Sequence, residues 1–373
     1  MKKVLFVATV VKTHIMEFHV PYLKMFKEMG WETAVAARND YENPADCKIP
    51  FCDQYFDIPF ERNPLKAGNV GAYKEIKKII DSGHYDIIHC HTPVGAALTR
   101  RAAIGARKSG TRVFYTAHGF HFYKGAPLVN WLVYYPVEWL CSFWTDTLIT
   151  INKEDYERAK RRLHAKRVEY VPGVGIDVKR FVETKIDRTA KRRELGVPED
   201  AVMLLSVGEL NENKNHSVVI RALREINDPN IHYAVAGNGP LFDYLTSLAA
   251  ELGVSNQVHI LGYRTDVAEI YKAADIFVFP SKREGLPVAV MEAMAAGLPV
   301  VATKIRGAVD LLEGSENPMI EQSKDVNAYS ELLGLLANSI VLREHIRQAN
   351  QNKAKAFDVS QITIILRNIY NIE

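Results

Sequence analysis

Apolar, β-rich runs alternate with helix-patterned stretches along the whole chain, and this alternation constrains the fold more than any single motif. Strand-type runs cover residues 3–9, 32–36, 86–90, 112–116, 147–151 and 167–171. The pattern resumes at 201–207, 232–236, 258–260, 276–279 and 299–302. Helical stretches separate them at 16–29, 72–82, 95–109 and 153–163, then at 216–225, 240–252, 265–273 and 287–296, with a last helical region from 327 onward. Strand–helix–strand repetition predicts parallel sheets, because a parallel return needs a crossover. Continuous apolar strands such as Val4 to Val7 predict sheets covered on both faces. Pro172, Gly173 and Gly175 break the pattern and read as a linker. The expected architecture is α/β, with two Rossmann-like doubly wound domains facing across a cleft. Their expected extents are 1–172 and 173–354, and the helix at about 355–373 is expected to pack back on the first. Ligands in such sheets sit at the C-terminal strand ends.

Charge is unevenly spread. Residues 1–175 hold 25 Lys and Arg against 18 acidic side chains, and the remainder hold 22 against 26. A basic first half suits an anionic surface, although a solvated face of mixed charge explains the count equally well. No basic stripe interleaved with aromatics occurs, so a nucleic-acid partner is not expected. The four cysteines form no CxxC pair, which predicts reduced thiols. The start, from Met1 to Val11, imitates a signal peptide, but Lys12 and His14 follow at once, and a buried first strand explains it better. Residues 128–144 are apolar and aromatic, with Trp131, Tyr134, Tyr135, Trp139, Phe143 and Trp144 interrupted by Pro136 and Glu138. This reads either as a core helix or as a helix lying at a membrane interface.

The segment from Ser281 to Val300 carries the sharpest chemical signal. Glu284 precedes a helix and Glu292 lies inside it; Gly285 and Pro287 mark the start, and Gly297 with Pro299 the end. Free N–H groups at a helix start attract phosphate, and carboxylates accept hydrogen bonds from sugar hydroxyls. Two carboxylates bracketing a phosphate site predict a ligand with sugar at both ends and phosphate between, which is the layout of a nucleotide-sugar. Upstream, Gly208 and Glu209 end a strand and Lys214 follows, placed to offset charge on a leaving diphosphate. Gly237, and then Gly262, Tyr263 and Arg264, form further loops after strands. In the first half, His118 and Gly119 follow a strand directly. His89 and His91 share one strand face, which suggests a metal pair, but no third ligand stands at suitable spacing, so zinc is not expected. No Asp-x-Asp occurs, so the diphosphate is expected to be neutralised by cationic side chains and helix N–H groups rather than a metal.

Glu284 and Glu292, with Gly285, Leu286 and Pro287 between them, resemble the E-x7-E motif of retaining GT-B glycosyltransferases. The closest likeness is to family 4 enzymes of bacterial capsule, exopolysaccharide and O-antigen assembly. Segments 86–93, 116–119, 171–181, 208–215, 237–240, 262–267 and 280–299 look familiar in order and spacing. The resemblance implies that Glu292 accepts from ribose hydroxyls and Glu284 from the donor sugar. It implies that backbone N–H groups of Leu286 to Val288, Pro287 excepted, bind phosphate, that Lys214 binds the diphosphate, and that His118 contacts the donor sugar. Gly208, Glu209, Gly237, Gly262, Tyr263, Arg264 and Arg283 complete the implied donor side. Thr13, His14, His91 and Gly119 form the implied acceptor side. Two departures stand out. Glu209 occupies the place of a usual arginine, with Arg283, Lys282 or His216 as substitutes, and the first-strand loop carries Val10 and Val11 instead of a glycine pair.

The expected activity is metal-independent transfer of a hexose or N-acetylhexosamine from a UDP-sugar to a lipid-linked (polyprenyl diphosphate) saccharide, with anomeric configuration retained. The UDP-sugar is a co-substrate and no cofactor is expected. A cytoplasmic protein resting peripherally on an anionic membrane face fits this reading. The competing readings are a GT-B epimerase of UDP-N-acetylglucosamine and a non-catalytic nucleotide-sugar sensor.

Overall fold

The computed structural model describes residues 1–64 and 66–372. The chain forms two compact units, Met1–Gly175 joined by Ser360–Glu373, and Ile176–Val359. In the first unit, β1 (Lys3–Val10), β2 (Glu32–Arg38), β3 (Gln54–Asp57), β4 (Ile87–His91), β5 (Arg112–Ala117), β6 (Thr147–Thr150) and β7 (Arg167–Tyr170) build one sheet in the order β3-β2-β1-β4-β5-β6-β7. Every pairing in it is parallel. Val4, Leu5, Phe6 and Val7 are fully buried, as covering on both faces requires. The edge strand β3 was not legible in the sequence. It is four residues long and partly exposed, so it carries no apolar run.

The stretch expected as one helix over 16–29 is divided. A π-helical segment, Val11–Ile15, follows β1, then come short helix Met16–Phe18 and helix Val20–Glu28. π segments are rare and concentrate at functional sites. The stretch 95–109 is likewise split into helices Pro93–Ala102 and Ile104–Lys108.

Helix Leu128–Ser142 is turned against its own hydrophobicity. Its buried residues are Glu138, Cys141 and Ser142. Leu128 and Leu132 are 80% and 76% exposed, and Val129, Val133, Val137 and Leu140 are exposed beside them. Glu138 faces inward because Arg100, on helix Pro93–Ala102, is fully buried and reaches it through two hydrogen bonds of 2.5 and 3.1 Å. The Arg100 guanidinium also lies over the Tyr115 ring, 4.0 Å from its centroid. A buried charge pair tolerates no loss of one partner, so Arg100 fixes which face of the aromatic helix points in.

The last helix, Val359–Tyr370, belongs to the first unit. Tyr370 is fully buried, with its ring against Phe26 and Phe114 at 5.0 Å. Its hydroxyl meets His89 Nδ1 at 2.5 Å, and His89 Nε2 meets Thr116 Oγ1 at 2.8 Å.

The second unit holds β8 (Val202–Val207), β9 (Ile231–Ala236), β10 (Val258–Gly262), β11 (Ile276–Phe279), β12 (Val300–Thr303) and β13 (Met319–Ile320), in the order β10-β9-β8-β11-β12-β13. These strands are also all parallel. Leu204, Val219, Tyr233 and Val278 are among the residues of its core. In each sheet the order reverses once, between β1 and β4 and between β8 and β11, and a crevice opens outside the strand ends at such a point.

Tyr370→Ala is expected to lower stability by about 3–5 kcal/mol, the cost of emptying a large aromatic core position. Tyr370→Phe is expected to cost only about 1–3 kcal/mol, because it keeps the packing but leaves His89 Nδ1 unpaired. Urea unfolding of both variants checks the ranking.

Candidate functional site

In the second unit, the loops after β8 and β11 leave the sheet at its reversal point and meet. Gly208 ends β8 with φ +154°, and an added Cβ would lie 3.1 Å from Cε of Lys214. The chain then turns so that Lys214 Nζ stands 2.8 Å from Glu284 Oε1, with both side chains partly buried. Asn213 braces the same pair of loops. Its Nδ2 donates to the Arg283 carbonyl at 2.9 Å and approaches Glu284 Oε1 at 3.3 Å, and its carbonyl accepts from the Lys282 N–H at 2.8 Å.

Helix Val288–Ala296 begins just after this pair. Its N-cap is Pro287, no side chain caps it, and Gly297 closes it with φ +88°. The first turn of a helix leaves N–H groups without intrahelical acceptors, and here they open beside Lys214 and Glu284. Glu292 sits on the same helix, where the buried Tyr271 hydroxyl lies 3.1 Å from its Oε2 and 3.1 Å from the Ala289 carbonyl oxygen, two acceptors for its one proton. Burial, and then the carboxylate, hold the Tyr271 hydroxyl well above its ordinary pKa, so it stays a donor.

Backbone closeness shapes the rest. Gly237 packs so tightly that a Cβ there would fall 1.9 Å from the Gly208 carbonyl oxygen, and its N–H donates to the Gly262 carbonyl at 2.8 Å. Two contributors escaped the sequence reading. Gly307 lies against the turn at Gly285, where a Cβ would meet the Gly285 oxygen at 2.5 Å, and Arg306 Nε donates to the Glu284 carbonyl at 3.2 Å. Gly307 and Ala308, small residues soon after strand β12, are a signal for this close approach.

Several expected donor-side residues are otherwise engaged. Arg264 is held by Asp266 through Nε at 2.8 Å and Nη2 at 2.6 Å, and it also pairs with Glu194. Tyr263 is 77% exposed. Glu209 is exposed and accepts from Asn211 Nδ2 at 2.8 Å. Of the suggested substitutes for the missing arginine, His216 is buried against the Tyr233 hydroxyl at 2.9 Å, so it points into the core. Lys282 pairs with Glu212 at 3.2 Å, and Arg283 is exposed.

In the first unit, the loop after β1 and the ends of β4 and β5 bring histidines together. His14 rests edge-on to His118 with centroids 4.7 Å apart, and His19 stacks on His91 at 3.8 Å. His118 Nε2 is 3.4 Å from His91 Nδ1. His19 was not anticipated. Thr92, immediately after His91, takes φ +64° and ties the loops by meeting Thr9 Oγ1 at 2.6 Å. Thr13 stands apart from the cluster, donating to Asp40 Oδ2 at 3.2 Å. Burial, with repulsion from neighbouring imidazoles, pushes His14, His19 and His91 well below the ordinary histidine range, and burial takes His118 down to about 4. The rings are therefore neutral near pH 7. By spacing along the chain, His89 and His91 lack a third ligand. The fold supplies His14, His19 and His118 beside His91 and withdraws His89, both of whose nitrogens are bonded.

Comparison with known proteins gives a consistent picture. Residues 187–353 match the family model described as "Glycosyl transferases group 1", and residues 3–152 match "Glycosyl transferase 4-like". The chain is 40% identical to a putative glycosyltransferase EpsD of Bacillus subtilis over 99% of this chain and 96% of the relative. It is 26% identical to an Escherichia coli UDP-Gal:alpha-D-GlcNAc-diphosphoundecaprenol alpha-1,3-galactosyltransferase over 82% of each. In fold it resembles Anabaena HepE in complex with UDP-glucose, with TM-score 0.78, 20% identity and full coverage of both chains. WaaG, a glycosyltransferase of lipopolysaccharide biosynthesis, aligns at TM-score 0.76 and 19% identity over 98% and 99% of the two chains.

Gly237→Ala is expected to force the β8 and β9 loops apart and to cost about 1–3 kcal/mol, as overpacking does. The neighbouring exposed Asn238→Ala is expected to cost far less. Thermal melts of the two variants measure the difference.

Proposed function

Because the chain belongs to the GT-B glycosyltransferases of the family 4 type, we propose that it moves a hexose or N-acetylhexosamine from a UDP-sugar to a lipid-linked saccharide, with anomeric configuration retained. The observation that carries this reading is the Lys214–Glu284 pair, 2.8 Å apart beside the uncapped start of a helix that also bears Glu292. A glycosyl diphosphate bound there would draw Lys214 from Glu284 toward phosphate. The carboxylate thus released accepts from the donor sugar hydroxyls, while Glu292, steadied by Tyr271, accepts from ribose. As the anomeric bond breaks, negative charge grows on the diphosphate, and Lys214 with the helix N–H groups stabilises it without a bound metal at that position. In the proposed same-face substitution, the leaving phosphate oxygen takes the acceptor hydroxyl proton as the new glycosidic bond forms. The relatives support the substrate class. HepE binds UDP-glucose, and the E. coli relative is named for transfer to a diphosphoundecaprenol-linked sugar.

Lys214→Ala and Glu292→Ala are each expected to lower sugar transfer about 100-fold or more at saturating donor, the scale of losing an electrostatic partner of the transition state. UDP release on addition of lipid extract reports the rate. Near-normal turnover in both variants would remove the assignment. UDP-sugars should raise the melting temperature by mass action, whereas GDP- and ADP-sugars should not.

The reading extends to the membrane. Among the described residues no helix is long and apolar enough to cross a bilayer. The outward apolar face of helix Leu128–Ser142 instead fits peripheral contact, with Trp139 and Phe143 at the end of the exposed stripe. Exposed Lys160, Arg161 and Arg162 on the next helix supply charge for anionic headgroups. An apolar cavity of about 220 Å³, lined in part by Val94, Leu98, Phe120, Val133 and Val137, opens beneath this helix and suits part of a lipid chain. Leu128→Ser with Leu132→Ser is expected to abolish flotation with anionic liposomes while leaving the fold intact, since both residues lie outside the core. Unchanged flotation would count against the contact.

A further inference from the structure

Four imidazoles meet at the reversal point of the first sheet, and the donor chemistry gives them nothing to do as a group. One ligand nitrogen from each of His14, His19, His91 and His118 lies within 4.8 Å of the others. His14, His19 and His91 are buried. His14 Nε2, both nitrogens of His19 and His91 Nε2 have no hydrogen-bond partner. Buried polar atoms are ordinarily paired, so a cluster of unpaired nitrogens aimed at one another calls for something that satisfies several at once. A cation with four coordination sites does so.

The donor set selects the ion. It is all nitrogen, with no carboxylate or thiolate, which disfavours magnesium and calcium and suits borderline transition ions. We propose that His14, His19, His91 and His118 bind one divalent transition ion of the zinc class. A tetrahedral shell with metal–nitrogen bonds of about 2.0–2.1 Å sets its nitrogens about 3.4 Å apart. The four ligand nitrogens lie within 4.8 Å of one another, so the rings close by up to about 1.4 Å to reach that shell. His89 is outside the set, because Tyr370 and Thr116 satisfy it. Phe6, stacked on His91 with centroids 6.1 Å apart, walls one side of the cluster.

The four ligands come from separate places along the chain: the π-helical segment, the residue before helix Val20–Glu28, the end of β4 and the residue after β5. An ion there would tie the β1 loop to two strand ends. A shell filled by four protein ligands leaves no position for reacting water, so the ion holds structure and orients His118, whose remaining nitrogen keeps its proton for other partners. The site does not depend on the donor assignment.

The test uses the full-length chain without a polyhistidine tag. It is expected to retain about one zinc per chain and, after chelation, to take up Co²⁺ with the visible bands of a tetrahedral site. Zinc-edge X-ray absorption should show a nitrogen shell at about 2.0–2.1 Å with imidazole scattering. His19→Phe and His91→Phe, which keep a ring in place, should each weaken Co²⁺ binding more than about 100-fold, beyond the loss seen for outer-shell partners. Failure to take up zinc or cobalt at micromolar concentration, an oxygen shell, or binding unchanged in both variants would overturn the site. If the variants do not fold, the wild-type absorption spectrum decides. A UDP-induced rise in melting temperature that survives chelation keeps the donor reading separate from either result.

Discussion

Parallel strand pairing is the constraint on which everything else depends. It sends every strand in a sheet the same way, so all of the loops that follow strands gather at one end. Where the order reverses, neighbouring loops diverge and leave a crevice. The second unit uses this to set the loop after β8 beside the loop after β11, which brings Lys214 to Glu284 across seventy residues of chain. The first unit uses the same device between β1 and β4, and the result is a nest of histidines.

The two reversal points differ in chemistry because their loops differ in backbone. The second relies on glycine. Gly237 and Gly307 allow main chains to touch where any side chain would collide, and helix N–H groups are left open beside a lysine. The first relies on side chains, with Thr92 held at positive φ and aromatic rings packed close. The proposed donor recognition by backbone and charge rests on the former.

The aromatic helix shows how a polar pair decides the use of an apolar surface. Composition made residues 128–144 equally suited to the core and to a lipid boundary. Arg100, buried one layer below, needs a carboxylate, and Glu138 provides it. Satisfying that charge turns Leu128 and Leu132 outward. Fold and surface chemistry are therefore set by one ion pair that hydropathy alone would treat as an interruption.

Strand-and-helix alternation determined the two parallel α/β units, because period and apolar content act locally along the chain. Gly285, Pro287 and Gly297 likewise fixed the helix that carries Glu292, since caps and breakers act within a turn. The sequence could not show that His216 turns into the core, that Arg264 is taken up by Asp266 and Glu194, or that His19 stacks on His91 while both nitrogens of His89 are bonded elsewhere. Those outcomes depend on which side chains from distant segments fall within a few ångströms of one another. Only the order and register of the strands decide that.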